Sequence, residues 1–176
     1  MKVIHLGHSS VLIEATQRIL IDPFAYPFWF KADLVFITHN HFDHTFLLDR
    51  VQHEKTRVLK LRPGQVYEEN DIRAEAVPAR GPLHPRGVGY LLDIEGKRLF
   101  HSGDTVVLNE HKQIKAHVAM LNIDFNYGMN EAEALCLAKD MGAEHFIPLH
   151  WGHLPESPRW PKLTEEEWGL EREVVL

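Results

Sequence analysis

Apolar and polar positions follow a strand-like period through the first two-thirds of the chain. Residues 3–6, 11–14, 19–22 and 34–38 are each apolar or β-branched, and each run ends at glycine, proline or a polar cluster. Further runs at 57–61, 72–77, 89–94 and 98–101 repeat the pattern, with Glu95-Gly96-Lys97 as a short hairpin connection between the last two. The later chain changes character. Asn130 followed by Glu133 is a helix-capping pattern, Ala132, Leu135, Ala138 and Met141 recur at helical spacing, and Gly142 supplies a stop. A strand is expected at 145–149, directly after this helix. Strands with a helix inserted late predict an α+β fold of two sheets sandwiched between helices. Beyond Trp151 the chain is rich in proline and then glutamate, and a surface-wrapping tail with one helical turn is expected there.

Length and composition narrow the picture. A chain of 176 residues is one domain's worth, so residues 1–176 are expected to form a single unit. With 19 Lys and Arg against 25 Asp and Glu the net charge is −6, which disfavours binding to an extended nucleic acid. Cys136 is the only cysteine, so no intrachain disulfide can form. No run of about 18 apolar residues is present and no signal-like segment opens the chain, so a cytoplasmic protein without a membrane span is expected. Histidine is abundant, at 13 residues, and it is the commonest metal ligand.

The most informative segment is Leu34-Val-Phe-Ile-Thr-His-Asn-His-Phe-Asp-His44, an apolar strand that runs straight into His39, His41, Asp43 and His44. In extended chain residues i and i+2 point the same way, so His39 and His41 can grip one cation. After the chain turns, Asp43 and His44 can face a second. Nitrogen and oxygen ligands without thiolate suit Zn²⁺, Mn²⁺ or Fe²⁺ and argue against a closed structural zinc site. The plain alternative is a histidine-rich surface turn, which so tight a cluster after a buried strand makes a poor explanation.

This HxHxDH pattern, with Gly103-Asp104-Thr105 after a strand and Pro148-Leu149-His150 later on, resembles the metallo-β-lactamase-fold hydrolase superfamily. Leu6-Gly7-His8 and Ile21-Asp22-Pro23 are similar to the branch containing L-ascorbate-6-phosphate lactonase and N-acyl-phosphatidylethanolamine phospholipase D. The resemblance implies an αββα four-layer sandwich of two mixed sheets flanked by helices. It also implies two divalent ions, zinc foremost with manganese or iron as options. His39, His41 and a third histidine would hold the first ion, Asp43, His44 and His150 the second, and Asp104 would bridge them. His84, in His84-Pro85, is the expected third ligand, with His8 in reserve. His101, beside the Ser-Gly-Asp turn, is a candidate for orienting a ligand.

The function expected from this set is metal-dependent hydrolysis of a lactone, ester or phosphodiester of a small molecule by a metal-bound hydroxide. Asp43 would orient the water, and His153 would protonate or position the leaving group. No Gly-x-Ser-x-Gly elbow is present. Arg80 and Arg86 flank His84 and Arg62 follows an expected strand, which makes an anionic substrate an option beside the plainer reading of solvated loop charges, and the aromatic stretch 24–30 could line a pocket or a subunit interface in a homo-oligomer or pack in the core. Three competing readings remain. A di-iron oxidoreductase would carry Glu in place of His41 and an added flavin domain, a non-catalytic sensing domain would have a broken ligand set, and an RNA-processing nuclease would want a basic arm.

Overall fold

The computed structural model describes residues 1–24, 30–81, 85–124, 128–150 and 173–176. Twelve strands form two six-stranded sheets. The first contains β1 (Lys2–Gly7), β2 (Ser10–Glu14), β3 (Arg18–Ile21), β4 (Leu34–Phe36), β5 (Arg57–Leu59) and β12 (Glu173–Val175), in the order β12-β1-β2-β3-β4-β5. The second contains β6 (Val66–Glu69), β7 (Ile72–Ala79), β8 (Gly87–Ile94), β9 (Lys97–His101), β10 (Val118–Asn122) and β11 (His145–Leu149), in the order β11-β10-β9-β8-β7-β6. Both sheets are mixed in the same manner. Antiparallel hairpins β1-β2-β3 and β6-β7-β8-β9 lead into the parallel neighbours β3-β4-β5 and β9-β10-β11.

Side-chain alternation explains the layering. Val11, Ile13, Ile19, Ile21, Leu34 and Phe36 point from the first sheet into a core shared with Tyr90, Leu92, Leu99, Met120 and Ile147 of the second. The intervening Leu12, Leu20 and Val35 face the other way and pack with Val51 of the short helix α2 (Leu48–Val51), which follows α1 (Phe42–Thr45). On the far side of the second sheet, Phe100, Ala119 and Leu121 pack against Ala134, Leu137, Ala138 and Met141 of α3 (Glu131–Met141). Helix, sheet, sheet, helix is the layer order the sequence predicts. Strands buried on both faces read as continuous apolar runs, as in Ile19-Leu20-Ile21. Tyr90 couples the sheets directly. Its ring lies 5.0 Å from that of Phe36, and its hydroxyl donates to the Ile37 carbonyl at 2.8 Å.

Local chemistry sets the boundaries. The Asn130 side chain accepts from the Glu133 amide, and the Glu133 carboxylate accepts from the Asn130 amide in return, which closes the start of α3. Gly142, at φ 70°, ends it. Between β8 and β9, Glu95 and Gly96 both have positive φ, the requirement of a two-residue type I′ turn. Three strands go beyond the sequence prediction: the polar edge strand β6, the five-residue apolar β10 and the three-residue β12. The tail from Trp151 to Arg172, expected to wrap the surface, lies outside the described residues, and so does most of the aromatic stretch, 25–29.

Candidate metal centre

The candidate ligands lie at one rim of the sandwich because they sit in turns that follow strand ends. His8 occupies the turn after β1, Asp22 follows β3, Thr38 and His39 follow β4, Asp104 follows β9, Asp124 follows β10 and His150 follows β11. Asp43 and His44 lie on α1, which begins straight after His41. His8, Asp22 and His150 have φ of 55°, 47° and 66°, left-handed values uncommon for residues with a side chain. The main chain also ties the turns together, since the His150 amide donates to the His8 carbonyl at 3.0 Å and the Val88 amide to the Thr38 carbonyl at 3.1 Å.

Two groups of donor atoms result, each lying within 4.8 Å of one another. One is His8, Asp43, His44 and His150, and the other is His39, His44 and Asp104. Asp104, of the second group, also reaches His150 of the first. Its Oδ2 is 3.2 Å from His150 Nε2, 3.4 Å from His44 Nε2 and 3.8 Å from His39 Nε2. Each of these imidazoles is engaged from behind through Nδ1. His44 Nδ1 donates to Asp22 Oδ2 at 2.7 Å, His39 Nδ1 faces Thr38 Oγ1 at 3.1 Å, and His150 Nδ1 is 3.5 Å from Asp124 Oδ2. Fixing Nδ1 as the protonated nitrogen aims the Nε2 lone pair into the cluster, which is how metal-ligating histidines are oriented. The donor set therefore fits divalent cations of the zinc, manganese or iron kind.

Asp22 is wholly buried and accepts from the Thr38 amide at 2.9 Å, from Thr38 Oγ1 at 2.6 Å and from His44. His101, also wholly buried, accepts from the Gly103 amide at Nδ1 and donates from Nε2 to the Ser9 carbonyl, so it joins the His8 turn to the Asp104 turn. Asn122 lies against Ser102 and Thr105 in the same turn.

The charges are strongly coupled. Burial pushes His44 toward its neutral form, but the Asp22 charge and contacts with Asp104 and Asp22 outweigh it and hold the imidazole up at about 10. Burial likewise opposes protonation of His150, and Asp104 and Asp124 raise it to about 9. For Asp104 burial favours the neutral acid, yet His150 and His44 keep it well below the usual carboxylate range. Asp43 is also lowered, its burial outweighed by the hydrogen bond from His8 and the nearby imidazoles. Negative charge around these rings favours a cation at Nε2, where a metal ion would take the place of the proton.

Of the residues expected from sequence, His39, Asp43, His44, Asp104 and His150 are thus brought together. His41 has its ring 4.5 Å from that of His39 but falls in neither group of donors. His84 and His153 lie outside the described residues. His8, held in reserve for the first ion, stands instead with the second group. Its Nε2 donates to Asp43 Oδ2 at 3.0 Å and its ring is 3.7 Å from that of His150, because the β1-β2 turn abuts the end of β11. Sequence reasoning passed over Asp22 and Asp124 as site residues. For Asp22 the available signal was a carboxylate placed directly after the buried apolar strand β3, whereas Asp124 comes two residues after β10, a strand the sequence pattern did not predict.

A profile described as a beta-lactamase superfamily domain matches residues 2–150. The chain belongs to this superfamily. A UPF0173 metal-dependent hydrolase of Archaeoglobus fulgidus is 28% identical, the alignment covering 100% of this chain and 95% of that one. A candidate metal-dependent hydrolase of Parabacteroides distasonis superposes with a TM-score of 0.78 at 26% identity, covering 86% of this chain and 83% of its own. A candidate zinc-dependent hydrolase of the metallo-beta-lactamase superfamily from Thermotoga maritima superposes at 0.76 with 22% identity, covering 99% and 91%, and shares the fold. This beta-lactamase superfamily member therefore has the metallo-β-lactamase fold, with its candidate ligands at one rim of the paired sheets.

Proposed function

We propose that this metal-dependent hydrolase of the beta-lactamase superfamily cleaves a lactone, ester or phosphodiester of a small molecule by attack of water, using two divalent cations with zinc foremost. The observation that carries the reading is Asp104, whose Oδ2 lies within 3.8 Å of the Nε2 atoms of His39, His44 and His150, residues drawn from both groups of donors. His39 and His41, with His84 as the third histidine, would hold the first cation. Asp43, His44 and His150 would hold the second, and Asp104 both. When bound, such a pair lowers the pKa of a water molecule and polarises the substrate oxygen.

The protein's own groups supply the rest. Asp43, partly exposed and held by His8 Nε2, accepts a hydrogen bond from the attacking water and orients it toward the carbonyl carbon or phosphorus. Asp22 and Asp124 keep the histidines from rotating, so the geometry is set before substrate arrives. As the bond to the leaving oxygen breaks, that oxygen takes a proton, a role for which His153 is the proposed donor.

The test combines elemental analysis with a screen of lactones, esters, thioesters and phosphodiesters. Close to two cations per chain are expected, and Asp104→Ala should lose the pair. Asp43→Asn should slow turnover by about 10²- to 10⁴-fold, the usual scale for losing a general base. Hydrolysis in ¹⁸O-labelled water should place one label in the acidic product. A trapped acyl- or phosphoryl-enzyme would overturn the mechanism.

A further inference from the structure

Beside His39 and His41 opens a cavity of about 410 Å³, walled by Lys60 and Arg86. A second, of about 550 Å³, adjoins it through the shared residues Leu61, Pro85, Arg86 and Gly87, and adds Arg62 and Arg80. Four cationic residues therefore line a concavity made of two adjoining cavities, and no Asp or Glu is among the described residues that line it. That inverts the balance of a chain whose net charge is −6.

The arginines here also differ in how they are used. Arg18, Arg57, Arg73 and Arg98 each pair with a carboxylate on the sheet surfaces. Among the described residues, Arg62, Arg80 and Arg86 pair with none. Their backbone is nevertheless fixed. Arg80 follows β7, its amide donates to Thr105 Oγ1 at 3.0 Å and its carbonyl accepts from the Val106 amide, which fastens it to the turn that carries Asp104. Arg86 precedes β8 where Gly87 pairs with Ala79, and Lys60 and Arg62 follow β5. Lys60 Nζ donates to Asn40 Oδ1 at 2.9 Å, so its ammonium is held at the residue between His39 and His41.

We propose that this concavity is an anion subsite in which Lys60, Arg62, Arg80 and Arg86 bind a phosphate or carboxylate group of the substrate, while the bond to be cleaved lies over His39 and Asp104. The placement of the cleaved bond rests on the hydrolase reading, whereas the binding of the anion does not. Guanidinium groups present paired N–H donors that match two oxygens of either anion. A concave wall of one charge also focuses the field, so the cations act together more strongly than scattered surface charges. The volumes suit a small metabolite rather than a polymer.

The metal content of each preparation is measured, and inorganic phosphate and acetate are titrated calorimetrically at low salt into wild type, Arg62→Ala, Arg86→Ala, the double variant and the exposed-arginine control Arg50→Ala. At equal metal content, each single variant should weaken binding of the preferred anion about 5- to 20-fold, and the double variant more than 50-fold. Arg86→Lys should recover part of the loss and the control should match wild type. Tighter binding of phosphate than of acetate identifies a phosphate subsite, and the reverse order a carboxylate subsite. Undiminished affinity in the double variant would place the anion on the cations alone and overturn the subsite. A matched pair of esters, with and without a remote anionic group, separates the two readings. In the double variant KM should rise for the charged ester only. If no lactone, ester, thioester or phosphodiester of the screen is turned over by metal-loaded protein while the titrations show the arginine dependence, the subsite stands and the hydrolase reading falls.

Discussion

Asp22 shows what a single buried carboxylate can control. It is fully enclosed, takes two hydrogen bonds from Thr38 and one from His44, and so fixes both the turn before His39 and the ring of the candidate ligand His44. Asp22→Asn keeps the shape but loses the charge and an acceptor. Metal affinity should fall about 10- to 100-fold in a competition assay with a chromogenic chelator, with far-UV circular dichroism unchanged. His111 illustrates the opposite use of a buried histidine. Burial pushes its pKa down, Nε2 donates to the Pro78 carbonyl at 2.8 Å and Nδ1 accepts from the Leu108 amide, an arrangement that requires the neutral ring. A histidine that is harder to protonate when folded contributes stability in full above its unfolded pKa of about 6.5, and that stability is lost as pH falls below it. Relative to His111→Gln, which keeps a donor for Pro78, wild type should lose stability below about pH 6.5, by at most about 1.4 kcal/mol per pH unit in urea melts. Parallel stability curves for the two proteins would contradict this.

Elements position these residues, and the turns between them carry the sharpest constraints. Gly103, at φ 59°, leads into Asp104, and a Cβ there would lie 2.5 Å from the Val88 carbonyl oxygen and 3.2 Å from Thr38 Cβ. Both neighbours belong to strand ends that cannot move independently, so Gly103→Ala should displace Asp104. Loss of bound metal and of at least about 1 kcal/mol of stability is expected by elemental analysis and thermal melting. The capping box of α3 makes a gentler case. Asn130→Ala should cost about 1 kcal/mol, roughly 2–4 °C in Tm, with metal content intact, because α3 packs on the outer face of the second sheet and carries none of the proposed ligands. Helix α3 was legible in the sequence for the reason it is stable: its caps and apolar spacing are local signals. Strand β6 was not, since Val66-Tyr-Glu-Glu is polar and half exposed, and β12 exists because the edge of β1 supplies its partner, with Val3 opposite Val174.

For the molecule as a whole, the candidate centre ties the two sheets together. His8, His39 and His44 come from the half built on the first sheet, and Asp104 and His150 from the second. A cation bound there requires the folded arrangement, so chelation should lower Tm. Free metal at a thousand times Kd would contribute about 4 kcal/mol, or roughly 10 °C, and Asp104→Ala should abolish that dependence in differential scanning calorimetry. The sequence by itself determined the strands with clean apolar periodicity, the capped helix, and the cluster from His39 to His44, because each is encoded within a few adjacent residues. The fold family was equally legible, through short motifs at strand ends. The tertiary structure alone decided which imidazole nitrogens point inward, that His8 joins Asp43 rather than His39, and that Asp22 and Asp124 stand behind the candidate ligands His44 and His150. It also gathered Lys60, Arg62, Arg80 and Arg86 around one concavity. Those outcomes depend on contacts between strand ends tens of residues apart, which exist only once the two sheets have closed over their shared core.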